Sequence, residues 1–236
     1  MGVAELGRRR RFAPPSHARI DWSHPLAQGL AFCWLASRPS QDLAGSGRAT
    51  AGGVPTADSP WGAAVLPSTS SHFFSFPRGK VPAASALTAV VAHTYLSGAG
   101  GKIVTIDGGA GDTPQLVLVC ANTTAVSGGV GGTPYSVYAT DPSAPTAGGH
   151  VAAITWTGGG SGASGTVAVW NDGVLRATST GTSGTQSPVG IEIGRYNSTF
   201  NQQYGNPISS VFIYPRVLNA AELVSLHADP FQFLAW

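Results

Sequence analysis

The strongest constraint on the fold lies at the end of the chain, where a β-type run is followed by a clear helix signal. Residues 208–214 are rich in Ile, Val, Phe and Tyr, which is typical of a strand, and a proline ends that run. Asn219 fits the N-cap of a helix, and Glu222 stands three residues later, as a capping box requires. The Asp229-Pro230 pair then ends the helix. The sequence therefore predicts one short C-terminal helix in a chain otherwise made of strands.

The rest of the chain shows short β-type runs separated by turn residues. Residues 86–96 form a long apolar run, and residues 102–107 and 115–121 flank a glycine-rich loop. Asn171-Asp172-Gly173 is the strongest hairpin signal in the chain, because Asp-Gly suits a tight turn with positive φ. A hydrophobic fraction of 42% in 236 residues is enough for one domain with a buried core. We therefore expect an all-β fold, either a sandwich or a barrel.

The N-terminal residues predict an extended arm, residues 1–27, in front of an all-β domain of residues 28–236. Residues 1–20 hold five basic side chains and one acid, whereas the remaining chain is slightly acidic. Two prolines favour an extended polyproline conformation. A solvated tail is the alternative to an arm that docks on an acidic partner surface. The residues expected to anchor the arm are Arg8, Arg9, Arg10, Arg11, Pro14, Pro15 and Trp22.

Residues 36–62 are rich in Gly, Ser, Pro and Ala and predict a long loop. A loop of that length gains order only by packing on its own domain or by contact with another chain. The sequence leaves both alternatives open.

Four segments give the chain a family resemblance. They are Ile20-Asp21-Trp22-Ser23-His24-Pro25-Leu26 with Gly29-Leu30, Val169-Trp170-Asn171-Asp172-Gly173, Ile191-Glu192-Ile193-Gly194-Arg195, and Ile213-Tyr214-Pro215-Arg216-Val217-Leu218-Asn219-Ala220-Ala221-Glu222-Leu223. In order and spacing they resemble the concanavalin A-like (laminin-G-like) jelly-roll proteins of tailed phages and prophages. The resemblance implies two antiparallel sheets packed face to face as a jelly-roll sandwich, in a structural protein built into or displayed on a virion.

Within that family we expect a capsid decoration or other head-associated surface protein, made in the host cytoplasm and built into the virion. Its expected partners are capsid or other virion proteins, together with further copies of this chain. The N-terminal arm would attach it to the particle through charge-assisted contacts.

The sequence gives little support for catalysis. Glycoside hydrolysis generally needs two carboxylates across the scissile bond, and the chain has only three glutamates, Glu5, Glu192 and Glu222. Glu192 lies in a strand-like run without an acidic neighbour two or four residues on, where Gly194 and Tyr196 stand. There is no G-x-S-x-G motif, and no two histidines are spaced i, i+4 for a metal. We therefore expect no enzyme.

The sequence also predicts no cofactor. A dense acidic loop of the kind that holds calcium is missing. Cys33 and Cys120 stand in apolar runs and form no C-x-x-C pair, so neither zinc nor a dithiol site is indicated. No run is long enough to span a membrane, and no apolar segment follows the basic N-terminus as in a secretory signal. The arm has no interleaved aromatic residues, which disfavours nucleic acid as a partner.

The alternative function is glycan binding by a host-adhesion module of a phage tail or fibre. Sugar binding needs an exposed aromatic ring with polar neighbours, and the segment 195–207 contains both. Its candidate contact residues are Tyr196, Asn197, Asn201, Gln202 and Tyr204. Such a loop also suits a protein partner, and the sequence does not distinguish polysaccharide from protein.

Overall fold

The structure is a computed structural model. It describes residues 14, 16–45, 47–69, 71–82, 86–96, 101–107, 116–121, 125–131, 136–143, 146–184, 190–195 and 204–235, with the backbone alone at 107, 117, 119–121 and 125. Its strands are β1 (Arg19–Ile20), β2 (Phe32–Leu35), β3 (Thr50–Ala51), β4 (Thr56–Ser59), β5 (Gly62–Val65), β6 (Phe74–Pro77), β7 (Leu87–Tyr95), β8 (Gly101–Asp107), β9 (Leu116–Ala121), β10 (Ala125–Val130), β11 (Val137–Thr140), β12 (Gly148–Trp156), β13 (Ser164–Asn171), β14 (Val174–Thr182), β15 (Gly190–Ile193), β16 (Ile208–Tyr214) and β17 (Leu234–Ala235). A 3-10 turn (Pro25–Ala27) precedes β2, and the helix α1 (Ala220–Ala228) follows β16.

The strands form two large antiparallel sheets that pack as a jelly-roll sandwich, which confirms the predicted fold. One sheet has seven strands in the order β11-β10-β9-β8-β15-β6-β3. The other has the order β14-β13-β12-β7-β16-β5-β4, with β2 also paired to β16, and a small third sheet joins β1 to β17. The hairpin at Asn171-Asp172-Gly173 joins β13 to β14, and Asp172 has the positive φ of 54° that its turn requires.

The main core lies between the two sheets. Phe32 on β2 meets Phe76 on β6 edge to face, with ring centroids 5.1 Å apart, and both rings are buried. Trp34 on β2 likewise meets Phe74 on β6, at 5.4 Å. These four aromatic rings join the sheets through contacts that sequence-adjacent residues could not make, because β2 and β6 belong to opposite layers.

A second apolar core covers the outer face of the larger sheet. Alternate residues of its strands point outward, and Phe212 of β16 packs there against Phe233, with centroids 5.0 Å apart. Leu223 and Leu226 bury the inner side of α1 in the same cluster. Asn219 and Glu222 form the predicted capping box, which confirms the start of the helix. Among the described residues, no helix has the length and apolarity that a membrane crossing requires.

The N-terminal segment differs from the predicted arm. Ala18, Ile20, Leu26 and Ala27 are buried in the second core, and β1 pairs with β17 near the C-terminus. The folded body therefore includes residues 18–27, because their apolar side chains cover the outer face of the sheet. Pro14 is also buried, whereas residues 1–13 and 15, including Arg8–Arg11, lie outside the described residues.

The long loop predicted over residues 36–62 gains its order within this chain. It contains the short strands β3 and β4, which pair with β6 and β5. Near its start the buried carboxylate of Asp42 accepts the backbone N–H groups of Cys33 at 2.8 Å and Ala44 at 2.9 Å. These bonds hold the loop against the edge of β2, and they shape the cleft described next.

Candidate functional site

An open cleft of about 410 Å³ lies where the N-terminal segment meets the loop after β2. One wall comes from β1 and the turn that follows it, and the other wall comes from the loop. The lining residues are Ala18, Arg19, Ile20, Trp22, Arg38, Gln41, Asp42 and Leu43. The cleft combines a large aromatic ring, two guanidinium groups and an amide with a small apolar floor.

The first wall is fixed by pairing with the C-terminus of the chain. Arg19 and Ile20 lie opposite Ala235 and Leu234, and the amide of Asp21 donates to the carbonyl of Phe233 at 2.9 Å. Ile20 is buried, so the neighbouring Arg19 must point outward, as alternation along a strand requires.

A tight turn then presents Trp22 to solvent. The carboxylate of Asp21 accepts the amide and the hydroxyl of Ser23, at 3.0 and 2.6 Å, and these bonds lower the pKa of Asp21. The carbonyl of Trp22 accepts the side-chain amide of Gln28 at 2.5 Å. The backbone at Trp22 is therefore held on both sides, while 48% of its surface stays exposed.

The second wall is tied to the first by Arg38. Its guanidinium donates to the carbonyl of Ala18 across the cleft at 3.0 Å, and it also donates to the side-chain oxygen of Gln41. The backbone N–H of Gln41 in turn donates to the backbone carbonyl of Arg38 at 3.0 Å. The planar side chains of Arg38 and Gln41 are consequently oriented before any ligand arrives.

Positive charge gathers around this cleft. Arg19 is exposed, and within the described part of the chain its guanidinium makes no hydrogen bond or ion pair. The ammonium of Lys80, which donates to the carbonyl of Ala44 at 2.7 Å, lies 6.0 Å from the centre of the Trp22 ring. The buried carboxylate of Asp42 already accepts two backbone N–H groups. Burial raises the pKa of the neighbouring Cys33 thiol, and the negative charge of Asp42 adds to that rise.

Few of the predicted site residues lie in the described part of the structure. Trp22 lines the cleft, although its ring is half exposed rather than packed at the base of an arm. Pro14 is buried beside the body. The remaining predicted residues, namely Arg8, Arg9, Arg10, Arg11, Pro15, Tyr196, Asn197, Asn201 and Gln202, lie outside the described residues.

Tyr204 corrects the prediction of an exposed contact residue. Its ring is fully buried in the main core, and its hydroxyl lies 2.6 Å from Nδ1 of His93 and also donates to the carbonyl of Thr94 at 3.4 Å. A tyrosine buried with its hydroxyl satisfied cannot serve as a platform for a ligand. The prediction was wrong because a hydrogen-bond partner on β7, far away in sequence, draws this side chain inward.

Sequence reasoning missed Arg38, Gln41 and Asp42. All three fall in the segment that was interpreted only as a loop rich in small residues. A signal was present, because five polar side chains follow shortly after an apolar strand in Ser37-Arg38-Pro39-Ser40-Gln41-Asp42. Their role depends on β1, which lies twenty residues earlier and reaches them only in the folded state.

A second polar cluster reaches from the buried pair His93 and His150 to the partly exposed Asp172 and His227. His93 and His150 face each other on β7 and β12, with ring centroids 5.9 Å apart. His150 bonds to the carboxylate of Asp172 at 2.7 Å, and His227 of α1 lies 3.5 Å from the other oxygen of that carboxylate. Among the described residues, no three His, Cys, Asp or Glu side chains are arranged to hold a metal ion.

The pKa values of His93 and His150 are shifted in opposite directions. Burial, with a smaller contribution from the charge of His150, lowers the pKa of His93 to about 3. The hydrogen bond to Asp172 raises the pKa of His150. Burial alone would raise the pKa of Asp172, but hydrogen bonds from His150 and from the amide of Val151 hold it below its ordinary value. His93 therefore stays neutral at mildly acidic pH, whereas His150 is protonated more readily than an unperturbed histidine.

Comparison with solved structures finds the same sandwich in other proteins. Trypanosoma rangeli sialidase, in complex with a difluorinated sugar acid, aligns with a TM-score of 0.62 at 16% identity over 87% of this chain and 33% of that chain. Domain 4 of AbnA, an extracellular arabinanase of Geobacillus stearothermophilus, in complex with arabinotriose, aligns with a TM-score of 0.58 at 15% identity over 84% of this chain and 98% of that one. The binding domain of Paraclostridial Mosquitocidal Protein 1 aligns with a TM-score of 0.61 at 13% identity over 86% of this chain and 52% of that chain.

These likenesses establish the fold. The chain spans only about a third of the length of the sialidase, whereas it spans nearly all of domain 4 of AbnA. No protein-family model matches this chain, and no curated protein matches it.

Proposed function

We propose that this protein is a non-enzymatic carbohydrate-binding module and that the cleft beside Trp22 is its binding site. The observation that carries the proposal is the exposed indole of Trp22 at the rim of a cleft whose other wall holds Arg38 and Gln41. An aromatic ring accepts the apolar face of a sugar, and planar polar side chains read its hydroxyl groups.

The cleft has the properties that such a site needs. Its volume of about 410 Å³ lies within the usual range for small-ligand sites. Both walls are rigid, since Arg38 bonds to Ala18 across the cleft and β1 is paired with β17. A preorganised site loses less conformational entropy when it binds a ligand.

Two further observations support this proposal over catalysis. The one carboxylate that lines the cleft, Asp42, is buried and occupied by backbone amides, so a pair of carboxylates across a scissile bond is not formed there. Domain 4 of AbnA, which shares the fold, was solved in complex with arabinotriose.

The test is a glycan array followed by isothermal titration calorimetry with the oligosaccharide that binds best. We expect Trp22→Ala to weaken binding by roughly thirtyfold, because a central aromatic contact commonly contributes about 2 kcal/mol or more. Tyr138→Ala is the matched control. Tyr138 is also an exposed aromatic residue, but it lies on β11, an edge strand of the seven-stranded sheet, and does not line the cleft. Undiminished binding by Trp22→Ala, loss of binding by Tyr138→Ala alone, or an array without any bound glycan would each contradict the proposal.

The second candidate function is capsid decoration on a phage virion. It is favoured by the resemblance described above and by the block Arg8–Arg11, which precedes the first buried residues of the body. Because residues 18–27 belong to the folded body, the test is deletion of residues 1–13 alone. The deleted protein is expected to fold, as measured by circular dichroism, but to be lost from purified particles. Unchanged incorporation would rule out anchoring by the arm.

A further inference from the structure

We infer that the saccharide bound in the Trp22 cleft is acidic, with its carboxylate against Arg19 and Arg38 and its ring over the indole. This inference rests on the proposed function, because it names the class of sugar for that same cleft.

The first argument is the imbalance of charge around the cleft. Arg19 and Arg38 line it, and Lys80 lies against the same indole, 6.0 Å from the ring centre. The nearby carboxylates are those of Asp42, which lines the cleft, and Asp21, which lies beside Trp22 in the turn. Among these described residues, three cations therefore stand against two anions in or beside the cleft.

The second argument is that both carboxylates already accept hydrogen bonds from this chain, whereas Arg19 and most donors of Arg38 have no partner among the described residues. One oxygen of Asp42 accepts two backbone amides, and one oxygen of Asp21 accepts both donors of Ser23. Arg19 makes no hydrogen bond or ion pair with any described residue, and Arg38 gives two of its five N–H donors to Ala18 and Gln41. Unused donors in the cleft favour a ligand that brings acceptors and negative charge.

The third argument concerns the geometry of the donors. A guanidinium is planar and presents a fork of N–H groups that matches the two oxygens of a carboxylate. Arg38 is held in place by its bond across the cleft, so its remaining donors are oriented in advance. A neutral sugar would leave this positive charge without a counter-ion and would lose the charge-assisted bonds.

The experiment uses the full chain and two matched pairs of probes, measured by isothermal titration calorimetry. The pairs are trigalacturonic acid with its methyl ester, and sialyllactose with lactose. We expect at least one acid to bind roughly tenfold more tightly than its neutral partner, the order of magnitude for one or two charge-assisted hydrogen bonds. Arg19→Gln should remove most of this preference, and added salt should weaken binding of the acid but not of the neutral sugar.

Two variants serve as controls. Arg176→Gln removes a positive charge on β14, at the far edge of the larger sheet, and should keep the preference. Arg38→Lys keeps the charge but loses the planar fork, and it should reduce the preference while thermal unfolding checks that the cleft still forms.

The outcomes separate the two proposals. Equal binding within both pairs, binding of neutral glycans only, or full preference in Arg19→Gln would overturn the acidic-sugar inference while leaving glycan binding intact. Absence of binding to either acid and to every glycan on the array would overturn both.

Discussion

His93 is expected to make this protein sensitive to mild acid. The side chain is fully buried on β7, and Nε2 has no hydrogen-bond partner in the described structure, so a proton there would bring an unsolvated charge into the core. Burial therefore lowers the pKa of His93 to about 3. In the unfolded chain the same side chain regains an ordinary value of about 6.5.

The magnitude follows from proton linkage. Below about pH 6.5 the unfolded state binds a proton that the native state excludes, so the free energy of unfolding falls as the pH falls. A pH of about 5 lies about one and a half units below the pKa of the unfolded side chain. At 1.36 kcal/mol per unit, the free energy of unfolding is therefore about 2 kcal/mol lower than at neutral pH. The loss continues until the pH approaches the native pKa of about 3.

The assay is urea unfolding at about pH 7.5 and about pH 5, comparing the wild type with His93→Gln. The glutamine is neutral at both pH values and can still bond to the hydroxyl of Tyr204, which lies 2.6 Å from His93. We expect the variant to lose about 2 kcal/mol less than the wild type between the two conditions, since it has no proton to take up on unfolding. Its stability at neutral pH is not the readout, because the substitution also alters packing.

His150→Gln is the control with the opposite sign. The pKa of His150 is raised by its bond to Asp172, so its contribution to stability is complete below the unfolded value of about 6.5 and is lost as the pH rises through the native value. Removing His150 should therefore make the acid loss steeper, whereas removing His93 should make it shallower. Equal pH dependence in the wild type and in His93→Gln would refute the reasoning.

Three further predictions concern stability and use the same urea titrations at neutral pH. Asn219→Ala removes the side-chain bond to the amide of Glu222, 3.0 Å long, and should cost about 1 kcal/mol; an unchanged midpoint would contradict the role of the cap. The guanidinium of Arg195 is buried and donates to the carboxylate of Glu192 at 2.8 Å. Glu192→Ala leaves that charge without its carboxylate and should lower the free energy of unfolding by about 3 kcal/mol. Replacing both residues by leucine should lower it less, because no buried charge is left unpaired. Gly194→Ala should cost about 2 kcal/mol, because φ is 86° and a Cβ would lie 2.6 Å from Pro67; a neutral result would show that the loop adjusts.

Local signals in the sequence predicted most of the elements. The capped helix begins at Ala220 as expected, since Asn219 and Glu222 satisfy each other within one turn. Leu87–Tyr95 and the hairpin around Asp172 also form as predicted, because strand propensity and turn chemistry act over a few residues. The bounds of the first long strand were less accurate: the apolar residues within 26–35 predict one strand, whereas Leu26 lies in a 3-10 turn and β2 begins only at Phe32.

Long-range contacts determined the parts that were not predicted. Residues 18–27 follow the arginine block and the two prolines that suggested an arm, yet β1 pairs with a strand more than two hundred residues away. Tyr204 has the polar neighbours of an exposed loop residue, yet a buried histidine on β7 holds its hydroxyl. Neither partner can be identified from the residues around these positions.

The sequence by itself determined that the described part of this chain is built of strands with a capped helix near its end, because alternation, turns and caps depend on neighbouring residues. Only the tertiary structure decided where a ligand could bind. Trp22, Arg38 and Gln41 come from separate segments, and the cleft exists because β1 pairs with β17 and Asp42 holds the loop after β2. The proposed binding site forms only when segments far apart in the sequence come into contact, and local propensity does not predict which distant segments will do so.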